Sequence, residues 1–94
     1  MTATAILADA GALLTELAGL GIHETASEYD PAHFGNYYVD LTGPHGDFRI
    51  TRDRGQYLLD GDLERLKDLG LFRAFAQMPQ FRDAVLEYVG APAV

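Results

Sequence analysis

The 94-residue sequence predicts an α+β domain: one helix, then an antiparallel meander of three or four strands, then two or three short helices packed on one sheet face. Three observations carry this. Residues 3–19 repeat their apolar side chains at helical spacing, residues 37–60 switch to a period of two, and residues 63–89 return to helical spacing in short pieces punctuated by Gly and Pro. A sheet with one apolar face must bury it, and helices at the two ends of the chain are what is there to cover it.

In residues 3–19, Ile6, Ala10, Leu13, Leu14 and Leu17 line one helix face, with Leu7 and Leu20 at its margins. Thr2 or Thr4 suits the cap, whereas Asp9 lies too far in to serve as one. Gly11 costs the helix about 1 kcal/mol against Ala. Gly19 and Gly21 stop it. With no titratable cluster in view, this helix reads as core packing. His23 to Tyr29 alternates loosely and reads as a first strand at a sheet edge, or as irregular chain. Asp30-Pro31 signals a turn, and 31–36 a loop.

The meander is the most legible stretch. Tyr37, Val39 and Leu41 alternate with Tyr38, Asp40 and Thr42; after Gly43-Pro44-His45-Gly46, Phe48 and Ile50 alternate with Asp47, Arg49 and Thr51. Closing the turn with Thr42 opposite Asp47 sets Leu41 against Phe48, Asp40 against Arg49 and Val39 against Ile50. One face is then apolar and the other carries a cross-strand ion pair, so both faces favour the same register. The second turn, at Asp53-Arg54-Gly55, is less determined. Closing Arg52 on Gly55 pairs Ile50 with Tyr57 and turns Tyr57 and Leu59 inward, which keeps the apolar face intact. A three-residue loop with Gly55 left-handed would pair Arg52 with Gln56 and turn Leu58 inward. The first arrangement is preferred. Arg52, Asp53 and Arg54 read as a solvated turn held by hydrogen bonds from Asp53, with an exposed knob for an acidic partner as the functional alternative.

Asp62 is a good N-cap for a short helix over 63–69, with Leu63, Leu66 and Leu69 inward and Gly70 as its stop. Residues 71–78 read as another short helix burying Phe72, Phe75 and Ala76. Pro79 suits the first position of a last helix whose stripe is Phe81, Val85, Tyr88 and Val89, ended by Gly90. Residues 91–94 read as a frayed tail.

Composition narrows the functional classes. A hydrophobic fraction of 48% with 22% charged residues describes a foldable chain of single-domain size, residues 1–94 as one unit. The absence of cysteine excludes a disulfide scaffold and thiolate chemistry, and fits a reducing, cytoplasmic setting. No basic segment precedes an apolar one at the N-terminus, and Asp9 and Glu16 interrupt the longest apolar stretch, so neither signal peptide nor membrane span is expected. A net charge of −7 disfavours nucleic acid and anionic membranes as partners, and it steers a basic protein inward. Many soluble proteins are acidic without such a role.

No catalytic arrangement is visible. His33, His45 and Asp47 lack the spacing of a metal site, Asp60 and Asp62 lack the twelve-residue calcium pattern, and Ser27, the only serine, has no nucleophile-elbow context. No metal and no cofactor is expected, and no enzyme activity. Tyrosine is favoured at interfaces because one end is apolar and the other wet. Adjacent strand residues point to opposite faces, so of Tyr37 and Tyr38 one is core; Tyr38, with Asp40, Arg49 and Thr51, forms the candidate partner-binding face.

The run from Phe34-Gly35-Asn36 through Arg52-Asp53-Arg54-Gly55-Gln56 to Asp60 resembles small bacterial immunity proteins of polymorphic toxin systems. In several such families a strand opens with Phe-Gly-Asn and another ends in Arg-Asp-Arg-Gly before a further apolar strand. The resemblance spans residues 34–60 and implies a non-catalytic cytoplasmic protein that binds and blocks a toxin domain, often through an acidic surface. It assigns no binding residues. A homodimer built on the polar sheet face and a small-ligand module are the other classes the sequence leaves open.

Overall fold

Local periodicity and turn chemistry produce seven elements in a computed structural model that describes residues 2–33, 35–44 and 46–90. They are α1 (Thr4–Gly19), β1 (His23–Asp30), β2 (Asn36–Gly43), β3 (Gly46–Asp53), β4 (Gln56–Asp60), α2 (Leu63–Asp68) and α3 (Met78–Tyr88). The strands form one antiparallel sheet in the order β1-β2-β3-β4. This is an α+β fold. His33 is in the loop before β2, while Phe34, His45 and the 91–94 tail lie outside the described residues.

α1 buries Ile6, Ala10, Leu13 and Leu17, with Leu14 partly covered and Leu7 half exposed. Neither Thr2 nor Thr4 caps it: Ala3 holds the cap position without a side-chain bond, and its carbonyl accepts from Ile6 and Leu7. β1 is the edge strand its polarity suggested, with a bulge between Glu24 and Ala26. The β2–β3 register is the predicted one, with Val39 opposite Ile50, Asp40 opposite Arg49, Leu41 opposite Phe48 and Thr42 opposite Asp47.

The β3–β4 register is neither of the two considered. Arg52 pairs with Tyr57, Ile50 with Leu59 and Asp53 with Gln56, around a two-residue turn of Arg54 (φ 52°) and Gly55 (φ 77°). Two successive left-handed residues make the turn whose twist suits a hairpin, which explains a glycine at its second position. The slip from the preferred pairing is two residues, an even number, so Tyr57 and Leu59 still point inward. The turn is held from β2, not by Asp53 locally. The side-chain oxygen of Asn36 accepts from the Arg54 backbone amide at 2.9 Å, and its side-chain NH₂ donates to Asp53 at 3.2 Å.

Asp62 caps α2 by accepting from the Arg65 amide at 3.2 Å, and Leu66 is buried, but Leu63 is 48% exposed. Residues 71–76 are not a helix. Gly70 (φ 71°) ends α2, and Phe75 then exchanges backbone bonds with Tyr57 at 2.8 Å in each direction. The open edge of β4 offers those backbone groups partners that a lone helical turn would lack. Leu71 and Phe75 are buried, whereas Phe72 and Ala76 are exposed. α3 begins one residue before Pro79, which sits at its second position, and it buries Phe81, Ala84 and Val85, with Tyr88 and Val89 partly covered. α1 lies against the β1 side of the inner face and α3 against β4; Arg82 of α3 grips Glu16 of α1 in two hydrogen bonds of 2.7 and 2.8 Å.

Tyr88 closes the far end. Its hydroxyl accepts from the Asp62 amide at 2.7 Å and its ring meets Phe48 edge-on at 5.6 Å. Gly61 makes room for that contact, since a Cβ there would overlap the hydroxyl and lie 2.9 Å from the ring carbon bearing it. Gly61→Ala is therefore expected to cost about 1–3 kcal/mol in urea denaturation, the range for overpacking. A loss under 0.5 kcal/mol would show that Tyr88 does not hold this position.

Candidate functional site

Strand alternation sends Tyr37, Val39, Leu41, Phe48, Ile50, Tyr57 and Leu59 into the core, and it sends Tyr38, Asp40, Arg49 and Thr51 to the opposite face. Both helices that cover the sheet lie on the inner side, so this outer face has no element of the described chain packed on it. The structure brings the four predicted residues together. Arg49 donates from Nε to one Asp40 oxygen at 2.6 Å and from Nη2 to the other at 3.0 Å. Its guanidinium also lies 3.9 Å from the centre of the Tyr38 ring. Thr51 faces Tyr38 across the β2–β3 ladder. The hydrogen bond from Arg49 holds Asp40 below the usual carboxylate range, and the reciprocal contact pushes Arg49 up. The ion pair stays charged at any physiological pH.

Around this stack the outer face is acidic. Registers place Glu28 and Asp30 on β1, Asp40 on β2, Asp47 and Asp53 on β3 and Asp60 on β4, six carboxylates with Arg49 as the one cation among the described residues. Five of the seven excess negative charges of the chain therefore lie here. Two open hollows flank the Tyr38–Arg49 stack. One of about 330 Å³ is bordered by Glu28, Asp30 and Asp53, and the other, of about 380 Å³, by Asp40, Asp47 and Asp60. Alternation and cross-strand pairing are enough to place the four central residues on this face. Alternation sends Asp47 outward as well; Asp30, Asp53 and Asp60 end their strands, where turn geometry decides direction, and Glu28 lies in the loosely patterned β1.

A second polar cluster, which no local sequence pattern marks as a whole, joins α1 to the inner face of the sheet. Arg52 continues β3 on the inner face, so Tyr37, Arg52 and Tyr57 form one row across three strands. Asp9 of α1 caps that row. It accepts from the Tyr37 hydroxyl at 2.8 Å and from the Tyr57 hydroxyl at 2.9 Å, and lies 3.5 Å from Arg52 Nη1. Burial, then the hydrogen bond to Asp9, push the Tyr37 phenol well above its ordinary pKa and raise that of Tyr57 as well. They are fixed as donors, so the cluster ties α1 across the sheet. α1 is therefore more than apolar packing. The available signal was position: Asp9 follows Ile6 by three residues and precedes Leu13 by four, which puts an acid on the inward face.

Other chemistry finds little support in the arrangement. Among the described residues no three His, Cys, Asp or Glu side chains converge on a possible metal position; the His33 ring meets the Asp30 carboxylate at 2.6 Å. A partly enclosed hollow beside Phe48, Arg65 and Tyr88 measures about 60 Å³. That is far below the 300–1,000 Å³ or so of ligand pockets. No helix among the described residues is long and apolar enough to cross a membrane. No family model matches the sequence, and neither a curated protein nor a solved structure does.

Proposed function

We propose that this chain is a non-catalytic protein-binding domain that docks a basic protein on the outer face of its sheet, with Tyr38, Asp40, Arg49 and Thr51 at the centre of the contact. The observation that carries this reading is an uncovered sheet face holding six carboxylates and one arginine around an accessible aromatic ring. Such a surface raises the encounter rate with a cationic partner, and a tyrosine already fixed by stacking loses little freedom on binding. The inward carboxylate of Asp9 is occupied by two phenols and Arg52, an arrangement suited to holding structure. The resemblance of residues 34–60 to immunity proteins names the class of partner: a toxin domain with a basic surface, met in the cytoplasm.

The test is to look for a toxin domain encoded beside the chain's own gene and co-express the two; a neighbourhood without one would count against the immunity reading. Growth should be restored, and the purified pair should associate more slowly as salt rises from about 50 to 500 mM, where the screening length falls from above 10 Å to below 5 Å. Tyr38→Ala should weaken the complex by about 1 kcal/mol or more, fivefold in Kd, without lowering thermal stability. Unchanged affinity in Tyr38→Ala, or an association rate indifferent to salt, would overturn this assignment of the surface.

A further inference from the structure

The sheet has two edges and the fold treats them differently. β4 is covered near its start, at Tyr57, by the Phe75 bridge. Among the described residues nothing pairs with the outer edge of β1, which leaves unpartnered backbone groups along an eight-residue strand. Beside the first residues of β1, His23 and Glu24, lies a groove of about 300 Å³ whose α1 wall is Leu7, Gly11, Leu14 and Ala18, with Thr2 and Thr15 as polar residues at its border. Positions 7, 11, 14 and 18 are one flank of the helix. Leu7 is 50% exposed there, and a Cβ on Gly11 would meet Leu7 alone, at 3.7 Å. Neither backbone geometry nor crowding requires this glycine; its effect is to keep the groove open.

From the free edge, the groove and the acids above it, we infer that β1 pairs with an extended segment of the partner, whose side chains alternate between apolar residues in the α1–β1 groove and lysines or arginines on the outer face. This rests on the reading of the outer face as a docking surface for a basic protein and adds the sheet edge to it. Alternation follows from strand geometry, since an added strand sends successive side chains to opposite faces. On the outer side they lie next to Glu28 and Asp30. A second copy of this chain is a poor occupant. Symmetric antiparallel pairing about Glu28 sets that carboxylate against its own copy, and about Tyr29 it sets Glu28 against Asp30 twice. Registers nearer the start of the strand run into the bulge at Thr25. The same charges that repel a copy select a cationic strand.

The experiment titrates isotope-labelled protein with an eight-residue peptide alternating Val and Lys, read by backbone amide shifts and hydrogen exchange. Alternate amides within residues 26–30 should shift and gain protection, and a Val–Glu peptide should leave them unmoved. Gly11→Leu fills the groove with a better helix former, so it should fold at least as well while weakening the Val–Lys peptide tenfold or more. Shifts confined to Tyr38 and Thr51 would overturn the edge and leave the docking face standing, whereas no shifts anywhere would overturn both. Equal binding of the Val–Glu peptide, or full affinity in Gly11→Leu, would overturn the chemistry assigned to the strand. Protection of β1 that grows with the protein's own concentration would give the edge to a second copy and overturn it too.

Discussion

Phe81→Ala is expected to lose about 3–5 kcal/mol of folding free energy, the cost of removing a fully buried phenyl ring and leaving its cavity. Phe81 is 1% exposed and sits where α3 meets the sheet, its ring stacked at 5.3 Å on Tyr57 and tilted against Phe75 at 5.8 Å. Those two partners belong to β4 and to the segment that closes its edge, so one side chain joins three parts of the chain. A domain of this size has a total stability of about 5–14 kcal/mol, and the loss takes a large part of it. Urea denaturation should show the midpoint falling with the slope unchanged, or no folded baseline at all. Phe48→Ala, at the other end of the inner face against Tyr88, should cost a similar amount. Phe72→Ala is the control, because that ring is 57% exposed and should change stability by less than about 0.5 kcal/mol. Equal effects at positions 72 and 81 would show that the inner face is not packed as described.

The second large effect is expected above pH 10. Tyr37 and Tyr57 keep their protons in the folded protein, held by burial and by the Asp9 carboxylate, whereas both phenols in the unfolded chain ionise near the ordinary value of about 10. The native state then binds more protons than the unfolded state, so stability falls as pH rises. The contribution is fully present below about pH 10 and is lost above it by up to roughly 1.4 kcal/mol per pH unit for each phenol. Absorbance of phenolate should show Tyr37, one of five tyrosines, silent until the protein unfolds, and Tyr57 ionising above its ordinary range. Tyr37→Phe together with Tyr57→Phe should flatten the alkaline slope. Asp9→Ala at neutral pH strands two buried donors and should cost about 1–3 kcal/mol, and much less when both tyrosines are already Phe. Five tyrosines titrating together at the ordinary value would sink this account of the cluster.

Much of this architecture was legible because it is written in short-range pattern. A strand's faces follow from alternation, so Tyr38 could be told from Tyr37 without coordinates. The β2–β3 register followed because an apolar ladder and the Asp40–Arg49 pair demanded the same alignment, and Asp62 announced itself as a cap beside a helical run. What tertiary structure alone decided involves partners remote in the chain. Asp9 meets phenols 28 and 48 residues away, and no local pattern specifies which acid an inward tyrosine will find. The β3–β4 register admitted several turns of similar local merit; the one adopted uses Arg54-Gly55 as its corner and points Arg52 at Asp9. Residues 71–76 carry helical spacing, yet an open strand edge offered their backbone better hydrogen bonds than a single turn of helix. Phe75 accordingly turned inward and Phe72 outward. Sequence determined which residues share a face, because side-chain direction is a property of one strand or helix. Assembly determined which faces and edges are occupied, because burial and backbone pairing are satisfied only when distant elements meet.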